Sequence, residues 1–172
     1  MNLNAAHIHL LVNHIPVFGT VFAALLIAWG LLRKSEDVLR LGLAVAVIVA
    51  AGTWLVQLTG EPAEHLIAGM QDVQRRIIHQ HEEAAELSTW VITAFGVLSL
   101  ITLVLVHRRR ASGGRALAIL SLLTGLAGAG LVARAANLGG EIRHPEIRAG
   151  FVPPPPPPRP AGAPRGEGGE RD

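Results

Sequence analysis

Residues 87–106 read LSTWVITAFGVLSLITLVLV and contain no charged side chain. At about 1.5 Å of rise per residue, a helix of ~20 residues crosses a hydrocarbon layer about 30 Å thick. Three further uncharged, apolar runs lie at about 8–32, 41–58 and 116–133. These runs lack the alternation of barrel strands, and only helices or closed barrels satisfy every backbone group in lipid. We therefore predict an all-α, integral membrane four-helix bundle over residues 1–150.

The composition excludes several classes of protein. Of the 172 residues, 50% are hydrophobic, 16% are charged and none is cysteine. The absence of cysteine excludes disulfides, thiolate metal sites and covalent c-type haem. A net charge of +2 gives no reason to expect nucleic acid as a partner. Neither a glycine-rich phosphate loop nor a nucleophile elbow is present, so the sequence points to no particular enzyme class.

Residues 151–172 differ in composition from the rest of the chain. Six consecutive prolines occupy 153–158, and a mixture of Pro, Gly, Arg and Glu follows. Such a segment cannot bury a core, so we expect an extended or disordered tail.

Basic residues flank the first and third connections between the apolar runs. They are Arg33, Lys34, Arg40, Arg108, Arg109, Arg110 and Arg115. The middle connection carries Arg75 and Arg76 among six acidic residues. Basic loops stay in the cytoplasm, so this asymmetry predicts a multi-pass protein of the bacterial inner membrane with both termini on the outer, periplasmic side.

The histidines are distributed unevenly over this topology. Seven of the eight fall at the outer ends of the predicted spans or in the outer loop: His7, His9, His14, His65, His79, His81 and His144. Only His107 falls on the inner side. Neutral imidazole is the commonest protein ligand of transition metals and haem iron, so this convergence predicts a ligand site near the outer face.

The opening segment, HIHLLVNHIP, permits two arrangements. In one continuous helix, His7 and His14 share a face, because residues seven apart differ by only about 20°. Alternatively, Asn13 caps a helix that contains Pro16 in its first turn, and residues 7–12 form a separate interfacial segment. In both arrangements His14 lies in the membrane-facing layer, where an ionisable residue is a candidate for function.

The middle loop offers two kinds of ligand. Gly60 and Pro62 are predicted to end the second helix. In the helix that follows, His81 points about 200° away from His79, opposite the glutamates, and suits an apolar haem pocket. His79 with Glu82 and Glu83 instead forms a polar face, which is typical either of a carboxylate-type metal site or of a solvated first turn.

Charged residues and a histidine follow the fourth run, on the same side as the other six outer histidines. The pair Gly139-Gly140 is predicted to break the helix, after which Arg143, His144 and Arg148 follow. Arg134 lies at the outer end of the run, where it can snorkel to the interface or pair with a haem propionate.

Several of these motifs resemble a known family. The H-x4-H-x-P opening (His9, His14, Pro16), the Thr59-Gly60 pair, a histidine at the start of the third helix and the GG-x3-H ending resemble an uncharacterised bacterial family of four-helix membrane proteins. That family is grouped with two-haem transmembrane b-type cytochromes, so the resemblance implies electron transfer through non-covalent haem b. The inner side here offers only His107, which favours one haem, or two sites crowded near the outer face.

The leading hypothesis is a haem between the first and third spans, with His14 and His81 as axial ligands. His9, His65 and His144 are the substitutes, and Arg134 or Arg143 would pair with the propionates. Two alternatives stay open. One is a membrane protein that binds a transition-metal ion through residues such as His7, His79, Glu82 and Glu83. The other is an accessory subunit of a larger membrane complex. A redox partner is implied only by the first hypothesis.

Overall fold

The computed structural model describes residues 3–70, 73–107 and 111–153. These residues are helical, without a β-strand in the described ranges, which confirms the predicted all-α class. The helices are α1 (Ala5–Val12), α2 (His14–Arg33), α3 (Glu36–Ile67), α4 (Arg75–His107) and α5 (Ala111–Arg143), followed by a 3-10 turn at Pro145–Ile147. Residues 154–172 of the predicted tail lie outside the described residues.

The four long helices form a closed ring. Helix α2 packs against α3 and α5, and α4 packs against the same two helices, while the short α1 lies against α3. The α2 and α3 backbones touch at two glycines. A Cβ atom added at Gly30 would lie 2.6 Å from the backbone nitrogen of Leu39, and one at Gly42 would lie 2.8 Å from that of Ile27. The missing side chains therefore set how closely these helices approach.

The outward faces of the ring are apolar. Each of the four candidate spans has an apolar stretch of which no more than 33% is buried inside the bundle. On α2, for example, Phe18, Phe22, Leu25 and Trp29 are all exposed. A soluble bundle would place polar residues there. Four helices that are long and apolar enough to cross a bilayer suggest a multi-pass membrane protein.

Two predicted helix ends are wrong. Helix α3 continues through Gly60 and Pro62 to Ile67. Pro62 has no N–H, so the carbonyl of Leu58 loses its helical hydrogen-bond donor. Leu58 is exposed at the surface of the bundle. Helix α5 likewise continues through Gly139 and Gly140 to Arg143. Its last turn is held by Ile142, which is buried against Ile77 and Ile78 of α4.

The first span, Ala5–Arg33, is interrupted only at Asn13, so neither of the two predicted arrangements holds in full. Helix α1 ends at Val12 and α2 begins at His14. The predicted capping role of Asn13 is wrong, because its side chain makes no capping bond and its backbone is helical. Pro16 is buried in the first turn of α2, where its missing N–H leaves no helical bond unmade.

The polar side chains buried in the described part of the bundle are all hydroxyls. They are Thr20, Thr53, Ser88, Thr89, Ser99, Thr102 and Ser121. Five of these donate a hydrogen bond to a carbonyl of their own helix, three or four residues earlier. Each such bond satisfies a polar group without a second helix.

Candidate functional site

The antiparallel ring brings distant histidines to one end of the bundle. Here the C-terminal turns of α3 and α5 meet α1 and the N-terminal turns of α4. This histidine-rich end carries His7, His9, His14, His65, His79, His81 and His144. His107 is the last residue of α4, at the opposite end. The seven histidines that the sequence grouped therefore share one end, but their side chains have different surroundings.

His9 projects from α1 against α3 and is half-buried. Its Nδ1 atom lies 2.9 Å from the hydroxyl oxygen of Thr59. That hydroxyl donates its own proton to the carbonyl of Val56, 2.8 Å away. It therefore accepts from His9, so Nδ1 carries the hydrogen, and in the neutral ring the lone pair is on Nε2.

His81 projects from α4 against α5 and is also half-buried. Its Nδ1 atom lies 2.8 Å from the carbonyl oxygen of Ala135. A carbonyl can only accept, so Nδ1 of His81 is the donor and the lone pair of the neutral ring is again on Nε2. The ring reaches the α5 backbone because residue 139 is glycine. A Cβ atom there would lie 3.1 Å from Cε1 of His81.

The two half-buried imidazoles are anchored in the same way. They come from α1 and α4 and donate to oxygens of α3 and α5. We refer to them together as the His9–His81 pair. An imidazole that gives its Nδ1–H to a protein oxygen is held in one tautomer and orientation, which is how metal-ligating histidines are commonly positioned. Each ring of the pair therefore keeps the lone pair of its Nε2 atom for a further bond.

The environment of His14 differs from that of the pair. His14 lies on the outward face at the start of α2 and is exposed. Its Nδ1 atom lies 3.0 Å from the carbonyl oxygen of Leu10, and its ring stacks on the exposed Phe18 with 5.9 Å between ring centroids. Of the two predicted axial ligands, only His81 has interior surroundings. The other half-buried histidine at this end is His9, which the sequence offers only as a substitute ligand.

The predicted polar face of α4 forms an exposed rim. His79 lies 3.3 Å from a carboxylate oxygen of Glu83 and 3.8 Å from one of Glu82. His65 lies 3.8 Å from Glu61 on α3. Within the ranges that the structure describes, no three His, Asp or Glu side chains are grouped to hold a metal ion. The rim is thus a set of ion pairs that form when the histidines are protonated.

The remaining predicted site residues have other surroundings. His144 is exposed and its Nδ1 atom lies 2.8 Å from Glu146. The pKa of the Glu146 carboxyl group is lowered by a hydrogen bond from its own backbone N–H and then by one from His144. Arg134 is exposed beside Ala135, and Arg143 donates to the sulfur of Met70 at 3.3 Å. His7 is exposed, and its backbone N–H caps α1 by donating to the side chain of Asn4.

Two parts of the site escaped prediction. The acceptor for His81 is the backbone carbonyl of Ala135, which no side-chain pattern reveals. In the sequence, Thr59 and Gly139 stand out only as parts of short motifs. Their contacts with His9 and His81 give those motifs a physical role.

We compared the chain with models of known protein families, with curated proteins and with solved structures, and none of the three comparisons gave a match.

Proposed function

We propose that the protein is a membrane-bound, b-type cytochrome-like electron-transfer protein with haem iron held between His9 and His81. One observation carries the proposal: both imidazoles give Nδ1–H to a protein oxygen and leave Nε2 for a ligand bond. The donors come from two different helices, so they can approach a metal from opposite sides, as two axial ligands must.

The donor set fits haem better than a bare metal ion. A porphyrin already supplies four nitrogens to iron, so two imidazoles complete six-fold coordination. A bare transition-metal ion needs three or four ligands from the protein. The described residues hold a pair of interior histidines but no group of three ligands. A bound haem would supply a one-electron couple, which is the chemistry that the protein side chains lack.

The surrounding residues would bind and orient the cofactor. Thr59 and the Ala135 carbonyl fix the two rings, and the hydrogen bonds raise the basicity of each Nε2. Arg134 is exposed one residue from Ala135 and is available to pair with a propionate. Positive-inside counting supports the proposal that this end, with both chain termini, lies on the periplasmic side of a bacterial inner membrane.

The test is an absorption spectrum of the detergent-purified protein after expression with ample haem. We expect a Soret band that His9→Ala and His81→Ala each abolish. His14→Ala and His65→Ala are the matched controls, since both side chains are exposed at the same end, and both variants should keep the band. A wild type without a Soret band would refute the proposal. A band lost in His14→Ala but kept in His9→Ala would restore the pairing that the sequence favoured.

A further inference from the structure

The two ends of the bundle differ in charge. Seven basic and two acidic residues flank the first and third connections, at the end opposite the seven histidines. We call this end the basic end. Its net charge is +5, which leaves −3 for the rest of a chain whose total is +2. The two acidic residues, Glu36 and Asp37, lie in the first turn of α3, where a negative charge favours the helix dipole.

Contacts between α2 and α3 bring two arginines of the basic end to one level. A Cβ atom at Gly30 would lie 2.6 Å from the backbone nitrogen of Leu39. The neighbouring residues Trp29 on α2 and Arg40 on α3 are therefore level with each other. Arg33 follows Trp29 by one turn, and its guanidinium carbon lies over the Trp29 ring, 5.6 Å from the centroid. The charged group of Arg33 is thus held beside Trp29, close to the level of Arg40.

A third arginine reaches the same level on α5. Gly96 of α4 meets α3 ten residues after Arg40. Because the two helices are antiparallel, Val106, ten residues after Gly96, is level with Arg40. A Cβ atom at Gly114 of α5 would lie 3.3 Å from Val106, so the next residue, Arg115, belongs to this level as well. We call Arg33, Arg40 and Arg115 the basic belt.

The basic belt lies one bilayer thickness from the next charge on α3. From Arg40 to Glu61 the helix rises about 32 Å at 1.5 Å per residue, which matches a hydrocarbon layer about 30 Å thick. Trp29 is exposed at the belt, and tryptophan is enriched at the depth of lipid headgroups. Both observations place the belt at the headgroup level of one leaflet.

Most cations at this level have no carboxylate partner. Arg40 is paired with Glu36 at 2.9 Å. Within the described ranges, no acidic side chain pairs with Arg33, Lys34 or Arg115, and all three are exposed. Stacking on Trp29 occupies only the face of the Arg33 guanidinium, so its N–H edge can still bind two oxygens of one phosphate. An anion from outside the described chain therefore fits here.

An apolar stripe on α2 leads up to Arg33. Its members recur every three or four residues and are all exposed: Phe22, Leu25, Trp29 and Leu32. A ligand with a phosphate and a hydrocarbon chain would contact the guanidinium and this stripe together, whereas a free phosphate would contact the guanidinium alone. The combination favours a phospholipid.

We propose that the basic belt binds the headgroup phosphate of an anionic phospholipid, with an acyl chain of that lipid along the apolar stripe of α2. Arg33 supplies the N–H edge, and Lys34 and Arg115 add positive charge that favours a lipid with net negative charge over a zwitterionic one. The proposal concerns the lipid around the bundle and does not depend on a bound haem.

The test uses brominated phospholipids, which quench the fluorescence of a tryptophan that they touch. The chain has three tryptophans, so a parent protein with Trp54→Phe and Trp90→Phe reports from Trp29 alone. It is placed in phosphatidylcholine nanodiscs in which a minor fraction of the lipid is brominated phosphatidylglycerol or brominated phosphatidylcholine. We expect stronger quenching by the anionic lipid. Arg33→Gln should lower this preference roughly fivefold, the contribution of one basic residue at a membrane surface.

Arg76→Gln is the matched control, because it removes the same charge from an exposed position at the histidine-rich end. It should leave the preference at Trp29 unchanged, and quenching by brominated phosphatidylcholine should be the same in every variant. Equal quenching of the parent by both brominated lipids would overturn the proposal, as would equal losses in Arg33→Gln and Arg76→Gln. Soluble glycerol phosphate should not relieve the quenching. Relief would show that the belt binds a free phosphate and would overturn the choice of a lipid.

Discussion

The ring of His81 occupies the space beside the bare Cα of Gly139. A methyl group there would lie 3.1 Å from Cε1 and 3.3 Å from Nδ1 of the imidazole. The same ring donates to the carbonyl of Ala135, one helical turn earlier on α5. The glycine therefore gives His81 access to the backbone acceptor that fixes its tautomer.

Gly139→Ala should displace His81 and weaken haem binding. Alanine normally stabilises a helix interior by about 0.5–1 kcal/mol over glycine, but overpacking costs roughly 1–3 kcal/mol. We expect lower Soret absorbance per protein and a lower thermal midpoint. Gly130→Ala is the matched control on α5, because nothing lies within 4 Å of the added carbon. If both variants behaved alike, the contact between residue 139 and His81 would not matter.

Thr59→Val tests the anchor of His9. The substitution keeps the shape of the side chain and removes the hydroxyl that accepts from Nδ1. A hydrogen bond of this kind contributes about 1 kcal/mol, so haem affinity should fall roughly fivefold. Titration of the apoprotein with haem measures the change. Thr124→Val serves as the control, since that hydroxyl only bonds the carbonyl of Leu120 in its own helix. Unchanged affinity in Thr59→Val would show that the hydroxyl does not hold His9.

Gly42→Ala should destabilise the bundle itself. The added Cβ atom would meet the backbone nitrogen of Ile27 at 2.8 Å, and a backbone cannot turn aside as a side chain can. We expect a loss of roughly 1–3 kcal/mol, measured by unfolding in detergent. Gly69→Ala is a control with open space around the added carbon. A stability equal to that of wild type would mean that α2 and α3 are farther apart than described.

Truncation after Gly150 should leave thermal stability and haem content unchanged. Phe151 and Val152 are exposed, and a proline-rich segment adds no buried core. Thermal unfolding of the truncated and full-length chains measures the effect. A large loss of stability would show that residues 151–172 pack against the bundle.

A reporter fused after Asp172 should be active only outside the cytoplasm. The prediction follows from the basic residues that flank the first and third connections. As a second measurement, a cysteine at Ser112 should be protected from impermeant reagents in intact cells. Labelling of that cysteine would reverse the proposed orientation.

Patterns with a long-range physical cause were predictable from the sequence. Charge-free runs must lie in lipid or in a core, so the four long helices were expected from composition. The gathering of seven histidines at one end follows from helix number and direction alone. The helix ends were less predictable: Pro62 and Gly139 are local breakers, but packing of residues such as Ile142 against Ile77 carries the helices past them.

The choice between His9 and His14 was beyond the sequence. His9 lies in α1 and His14 is the first residue of α2, and both helices belong to the same apolar stretch of sequence. What separates them is their surroundings: His9 is half-buried where α1 lies against α3, whereas His14 is exposed. Which face of a helix a neighbour covers depends on tertiary contacts, which a single sequence does not encode locally.

Most buried hydroxyls in the bundle are satisfied within their own helix. During biosynthesis, each span can thus enter the membrane without waiting for a polar partner. The contacts that do need two elements include those of His9 with Thr59 and of His81 with Ala135. Ala135 lies near the end of the last span, so His81 gains its acceptor only after the ribosome has delivered α5. A chain that stalls earlier would lack the backbone acceptor that holds His81.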